Sequence, residues 1–394
     1  LLDSTMAILL FLFFGALSVV IFSIVLFIGK RPKKVVFPDD GYFGTGDKKA
    51  DNPAIELKLR LENARIGHSQ LEDVDNFEYG FNLSTLRKFQ DYWINDYDWR
   101  KYEEKLNSFP QFTTQIEGLK IHFIHAKPPP EAGYKRIIPL LIVHGWPGNV
   151  FEFYKIIPML TDPRTNLQNN EFPDDLAFEV IVPSIPGFGW SEQPYKTGFN
   201  QMATARVFNK LMVERLKFQK YVPQGGDWGS FVASNIGRMY PERVFGVHLN
   251  MDFNMRTKAI PLLHTFVGSI MPRIMFPGLP EYSVMKHLKF LLNEGGYFLL
   301  QSTKPDTVGV ALNDSPLGLM AYILEKFSEL VNQYMSVPCA YAGFKHDLLQ
   351  PVELLRHAMN VIQYNLFDDG GHLSAMEHPD LLATDVFQFV QKVV

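Results

Sequence analysis

Hydrophobic and polar positions change character along the chain. From Met6 to Gly29 no residue is charged, and the run is Leu, Ile, Phe and Val with a few small side chains. A helix of that length crosses about 30 Å of hydrocarbon. Lys30-Arg31-Pro32-Lys33-Lys34 closes it, whereas Asp3 is the only charge before it. Basic residues stay on the cytoplasmic side, so the bulk of the chain is predicted there. A cleaved signal peptide has a shorter apolar core, basic residues before it and a small-residue cleavage site after it. None of these marks the run, and 6–29 reads as an uncleaved transmembrane anchor. In that orientation the glycosylation sequon at Asn82-Leu83-Ser84 goes unused. The stretch 30–50 is basic, then rich in Pro, Gly and Asp, and reads as a tether.

An irregular helical pattern covers 51–110, crowded with aromatics such as Phe77, Tyr79, Phe89, Trp93 and Tyr102. Such side chains bury large areas, so the segment is predicted to dock on a larger body. At Phe112 the period changes to two. Phe112–Ile116 and Leu119–His125, joined at Glu117-Gly118, read as a hairpin. Apolar runs then alternate with helical patterns. Strands are predicted at Pro139–Val143, Phe178–Val182, Lys220–Gln224 and Val244–Met251. The helices between and after them fall at Val150–Met159, Gln201–Leu216 and Ser230–Met239. This order builds a largely parallel sheet with helices on both faces. Residues 253–333 break the alternation and read as a helical cap inserted into the sheet order. Strands resume at Val337–Gly343 and Val361–Phe367, and an amphipathic helix closes the chain at Pro379–Val394. The core is thus predicted in two parts, 111–252 and 334–394.

A chain of 394 residues can bury one large core with an inserted lobe. A net charge of −4 gives no basic surface for nucleic acid, and no such partner is predicted. Cys339 is the single cysteine, which excludes an internal disulfide and suits a reducing compartment. It lies in an apolar run and reads as a small buried hydrophobe. No His/Cys spacing of a metal site and no phosphate-binding Gly loop occurs, so no cofactor is predicted.

The chemistry gathers at Gly225-Gly226-Asp227-Trp228-Gly229, between a predicted strand and a predicted helix. A small-x-nucleophile-x-small string in that context is a nucleophile elbow. Only glycine-sized neighbours fit around backbone so tightly turned. Here the apex is a carboxylate, which attacks saturated carbon and leaves an ester to be hydrolysed. An Asx turn is the plainer reading of the string by itself. A hairpin entering a parallel sheet with an Asp elbow at its centre, however, describes an α/β-hydrolase core. His144-Gly145-Trp146-Pro147-Gly148 follows the Pro139 strand and offers backbone donors. The N–H groups of Trp146 and Trp228 are the candidate oxyanion hole. His372, behind two glycines after the last strand, is the candidate base for water. Asp347, just after strand Val337–Gly343, is the candidate orienting acid, in the chain order nucleophile, acid, His. Asp368 and Asp369 read as solvated turn residues, and His346 and His378 as surface residues.

The elbow, HGWPG at 144–148, IPGFGWSEQP at 185–194 and GGH at 370–372 together resemble the epoxide hydrolases. IEGLKIHFIHAKPP (116–129), FYKIIPMLTDP (153–163), TKPDTVG (303–309) and LNDSPLGLMAYILEKFS (312–328) sharpen this. With the anchor they look like the microsomal type, which includes insect juvenile hormone epoxide hydrolases. The resemblance implies an endoplasmic reticulum membrane enzyme that needs no cofactor and turns a lipophilic epoxide into a vicinal diol. It implies Asp227 as nucleophile, His372 as base and Asp347 in a position where the family commonly has Glu. It also implies Tyr297 as one of two cap tyrosines that donate to the epoxide oxygen. The helical stretch that carries the second tyrosine in the family is missing, because Phe327–Val331 runs almost directly into Tyr334. Tyr334 is the candidate replacement. Two other readings stay open: a haloalkane dehalogenase, which uses the same Asp-Trp elbow, and a membrane-tethered pseudo-hydrolase left inactive by its shortened cap.

Overall fold

The computed structural model describes residues 57–66, 80–81, 83–167, 173–251, 259–279, 282–283, 285, 295–324, 335–345, 347, 349–356 and 359–394. The anchor at 6–29, the tether at 30–50, His346 and Tyr334 lie outside the described residues. Among the described residues no helix is long and apolar enough to cross a membrane.

Among the described residues eight strands form one sheet. They are β1 Gln111–Ile116, β2 Leu119–Ala126, β3 Arg136–Val143, β4 Leu176–Pro183, β5 Val222–Gly225, β6 Val247–Leu249, β7 Met335–Phe344 and β8 Met359–Phe367. Their spatial order is β1-β2-β4-β3-β5-β6-β7-β8. β1, β2 and β4 pair antiparallel, and every pairing from β4 to β8 is parallel. One register row matters for function, because Val143 pairs with Gly225, Gly225 with Leu249, Leu249 with Tyr341 and Tyr341 with Tyr364. The loops that leave the carboxyl ends of these strands therefore open at one edge, where open α/β sheets hold their ligands.

The helices of six or more residues among the described residues are α1 Leu57–Glu62, α2 Leu83–Asn95, α3 Trp99–Asn107, α4 Ile156–Thr161, α5 Gln201–Lys210, α6 Asp227–Met239, α7 Ala259–Ile270, α8 Gly296–Thr303, α9 Pro305–Asp314, α10 Pro316–Leu324 and α11 Pro379–Val393. Leu141 and Val143 face a core that includes Val207, Phe208, Val232 and Ile236 from α5 and α6. Leu140 and Ile142 face the opposite core, with Ile157 and Leu160 of α4 and Phe387 and Phe389 of α11. Successive side chains of a strand point to opposite faces, so covering both faces requires the unbroken apolar run of β3. Cys339 is fully buried in the first of these cores.

Several boundaries depart from the sequence pattern for definable reasons. The helix expected over Val150–Met159 is broken into a 3₁₀ turn at Val150–Phe153 and the short α4. Pro158 lacks an N–H and its ring collides with the carbonyl four residues back, so a helix can hold it only in the first turn. The helix expected to Leu216 is α-helical to Lys210 and continues as a π turn at Leu211–Arg215. The helix after the elbow begins at Asp227 rather than Ser230. Part of the aromatic segment packs on an inserted helix: Leu86 and Trp93 of α2 pack with Leu317 and Met320 of α10. Tyr102 meets Phe151 edge-on, with ring centroids 6.0 Å apart.

The turn of the β1–β2 hairpin is tied to α5 by charge. Glu117 sits at φ 52°, and its buried carboxylate takes two 2.7 Å bonds from Arg206 and lies 3.2 Å from Lys210 Nζ. Breaking such a pair leaves an uncompensated buried guanidinium. The Glu117→Ala variant is expected to lose about 3–5 kcal/mol of stability in urea unfolding. A loss under about 1 kcal/mol would place this pair among the weak surface bridges.

Candidate active site

The elbow places Asp227 at φ 42°, in the left-handed region that a side chain beyond glycine occupies at a cost of about 1–3 kcal/mol. Its neighbours show why this corner needs small residues. A Cβ on Gly225 would lie 2.3 Å from the Gly229 carbonyl group, and one on Gly229 would lie 1.9 Å from the Val143 carbonyl oxygen. Ser230 N–H donates to the Gly226 carbonyl at 2.9 Å and its hydroxyl to the Asp227 carbonyl at 2.7 Å, which fastens the corner to α6.

The Trp146 N–H donates to Asp227 Oδ1 at 2.6 Å, and the Trp228 N–H also bonds the carboxylate. The two predicted oxyanion donors thus converge on the predicted nucleophile. The loop that brings Trp146 there approaches so closely that a Cβ on Gly145 would lie 2.2 Å from Asp227 Oδ1. His144 anchors this loop. Its Nδ1 donates to the Gly145 carbonyl at 3.0 Å and its Nε2 accepts from the Ile185 N–H at 3.0 Å. Burial lowers its pKa to about 4, so the ring is neutral and the bonding pattern fixes its tautomer.

His372 stands between two carboxylates. Its Nε2 is 3.7 Å from Asp227 Oδ2, and its Nδ1 is 3.5 Å from Asp347 Oδ1. All three side chains are at most 7% exposed. The Asp347 contact is long for a hydrogen bond, in keeping with an acid one methylene shorter than Glu. Burial raises the Asp227 pKa to about 6 against the opposing pull of His372 and the two N–H donors. For His372, burial works downward, but the Asp347 hydrogen bond and the charges of Asp347, Asp227 and Glu152 outweigh it and raise the ring to about 9. At neutral pH the resting site therefore holds a carboxylate beside an imidazolium.

Tyr297, 7% exposed on α8, stacks on the Trp146 ring with centroids 5.0 Å apart and planes 15° apart. Tyr322 of α10 meets the same indole edge-on at 6.2 Å. The inserted helices thus reach the site through Trp146. Asp369 is exposed and lies 3.5 Å from His378, away from the pair formed by His372 and Asp347.

The sequence reading passed over three residues that line the cleft, Glu152, Asn250 and Ser374. Asn250 accepts from Gln224 Nε2 at 2.8 Å and donates to Ser374 Oγ at 3.1 Å, linking β5 to the turn that follows His372. The signal for Glu152 was available: it is the one acid in the otherwise apolar run Val150-Phe151-Glu152-Phe153. The cavity at these residues is small, about 20 Å³, room for about one water. Among the described residues no group of His, Cys, Asp or Glu is arranged to hold a metal ion.

Residues 138–272 match the family model for the alpha/beta hydrolase fold. The juvenile hormone epoxide hydrolase of Bombyx mori superposes with a TM-score of 0.77 at 30% identity, covering 86% of this chain and 91% of that one. Sheet order, elbow and donor loop make this an α/β-hydrolase whose nucleophile position holds a carboxylate. Residues 49–153 match the model for the epoxide hydrolase N terminus. Epoxide hydrolase 1 of Sus scrofa is 38% identical, with 95% of this chain and 97% of that protein covered. Juvenile hormone epoxide hydrolase 2 of Ctenocephalides felis is 36% identical, with 93% and 92% covered. The chain belongs to the epoxide hydrolases, enzymes that open an epoxide with water to a vicinal diol. The pig alignment runs over 451 positions against the 394 residues of this chain, so that relative carries stretches with no counterpart here.

The pairing of His372 with Asp347 sets a titration. Stability carried by imidazolium formation is complete below the ordinary value of 6.5 and is lost as pH rises through about 9. The Asp347→Asn variant removes the largest upward cause, so the His372 midpoint in an NMR ring-proton titration is expected to fall below about 9. Turnover is expected to drop roughly 10²-fold or more. An unmoved midpoint would mean that Asp347 does not set the state of the ring.

Proposed function

We propose that this chain hydrolyses a lipophilic epoxide in two covalent steps at Asp227. The observation that carries the reading is the division of labour between its oxygens. Oδ1 accepts the Trp146 N–H, which is where an oxyanion will form, and Oδ2 faces His372 and is left to attack.

In the first step Oδ2 forms a bond to an oxirane carbon and the carbon–oxygen bond of the ring breaks. The alkoxide takes a proton from the Tyr297 phenol, a group protonated at neutral pH. The imidazolium proton of His372 makes good that loss, and His372 becomes a neutral base. In the second step water gives a proton to His372 Nε2 while its oxygen attacks Cγ of the ester. The Trp146 and Trp228 N–H groups hold the negative oxygen. Collapse expels the diol, which carries off a proton and leaves Asp227 as carboxylate. The cycle closes with the carboxylate–imidazolium pair restored, and no cofactor enters.

The relatives named above are epoxide rather than haloalkane hydrolases, and a phenol suits an alkoxide better than a departing halide. Juvenile hormone or a foreign epoxide is the proposed substrate class. It is supported by the names of two such relatives and by apolar side chains such as Leu263, Phe266 and Leu299 exposed on the inserted helices. We read those helices as a shortened cap from which Tyr297 donates to the epoxide oxygen. Tyr334, the candidate replacement, remains part of the proposal only as a residue to mutate. The uncharged run 6–29 with its basic flank supports a membrane anchor, cytoplasmic catalytic portion and endoplasmic reticulum location.

Single turnover in ¹⁸O-water is expected to label the Asp227 carboxylate before the diol. Label entering the diol directly would remove the ester. Tyr297→Phe is expected to lower kcat/KM roughly 10²-fold. Equal activity would take the phenol out of the mechanism, and Tyr334→Phe, read alongside, is expected to leave kcat/KM unchanged. The full chain is expected to stay with membranes through an alkaline carbonate wash. Release of the full chain, or retention after deletion of 6–29, would contradict the anchor.

A further inference from the structure

Glu152 is a carboxyl group with no part in the chemistry so far, and its place is unusual. It is 9% exposed and lines the same cleft as Asp227, His372, Asn250 and Ser374. The Asn149 N–H bonds its carboxyl group, while Oε1 is buried with no hydrogen-bond partner among the described residues. Gly148 leaves it room, since a Cβ there would lie 1.4 Å from Oε1. The turn Val150–Phe153 that carries Glu152 packs on the turn Ser374–Glu377, which follows His372 directly. Lys155 Nζ fastens the two by donating to the Met376 carbonyl at 2.7 Å.

A buried carboxyl oxygen without a partner costs about 1–3 kcal/mol or more. Leu would fill the same space more cheaply, and no Lys or Arg pairs with the acid among the described residues. The cleft is polar here and requires a partner for Oε1 beside the base. We propose that Glu152 binds the water that hydrolyses the Asp227 ester, Oε1 accepting one O–H while His372 Nε2 accepts the other. The water then gives its proton to His372 alone, its oxygen bonds to Asp227 Cγ, and Glu152 exchanges no proton. Its service is orientation of the attacking oxygen.

The electrostatics fit the order of events. Burial, with the charge of Asp227 adding to it, holds Glu152 at about 8, mostly protonated at neutral pH. In the ester the Asp227 charge is gone, but the neutral His372 no longer lowers Glu152 either, so Glu152 stays mostly protonated and accepts the water O–H through its carbonyl oxygen. The groups that bear on it are Asp227 and His372, with Asn149 N–H on its own loop.

This inference rests on the covalent reading above, and the experiment separates the two. The full chain and its Glu152→Gln, Glu152→Leu and Glu152→Ala variants are mixed, enzyme in excess, with styrene oxide. Reactions are acid-quenched, and the Asp227 peptide is read for ester by mass spectrometry. In the Leu and Ala variants the ester is expected to form within about threefold of the normal rate and to persist about 10²-fold longer. Gln keeps an acceptor oxygen and is expected to recover at least about tenfold of that loss. If the Leu variant fails to fold, the Ala variant carries the same comparison. Unchanged ester lifetime, or equal slowing of formation and breakdown, would overturn the role of Glu152. Diol formed without any ester in the unmodified chain would overturn the covalent reading instead.

Discussion

The arrangement depends on one constraint, that the Asp227 carboxylate be held at a left-handed corner between β5 and α6. The strain there is small beside the packing that enforces it. Gly225, Gly229 and the Val143 carbonyl are in contact, so the corner cannot relax without parting β3 from β5. This couples site to fold. The register row that joins Val143, Gly225 and Leu249 fixes where the nucleophile, its donor loop and Asn250 emerge. A slip of one residue in any of these parallel pairs would turn the loop geometry away from the cleft.

Charge in the cleft is organised by shortage of solvent. Asp227, His372, Asp347 and Glu152 lie within mutual influence, and burial opposes ionisation of each group for which a cause is resolved. The favourable solution is to keep few net charges by pairing Asp227 and Asp347 with one imidazolium and leaving Glu152 mostly neutral. Alkylation then changes the balance by one unit of charge at Asp227, and the neighbours respond. His372 loses an upward influence and is pushed toward the neutral base, and with its charge gone it no longer lowers Glu152, which stays mostly neutral. The same burial that strains the resting site prepares its second step.

Legibility from sequence followed the range of the physics. Strand runs were legible because a sheet covered on both faces demands continuous apolar residues, as in Leu140-Leu141-Ile142-Val143. The elbow was legible because glycine spacing is a local steric requirement. Pairing of His372 with Asp347 came from chain order, which topology imposes. Helix ends were less readable, because Pro158 and the π turn at Leu211–Arg215 act through backbone detail that periodicity averages away. Glu152 is marked in the sequence only as an acid in an apolar run; its place beside the base is tertiary, because the fold brings the Val150 turn against Ser374.

Trp146 is the point where the two levels of the molecule meet. Its backbone N–H belongs to the sheet-borne site, and its ring belongs to the cap contacts, through Tyr297 and Tyr322. Asp227, His372 and Asp347 sit at the carboxyl ends of the parallel strands, whereas Tyr297 and Tyr322 come from α8 and α10. A change in the length of the inserted helices therefore acts on the phenol, the walls around the substrate and access of water, not on the carboxylate corner.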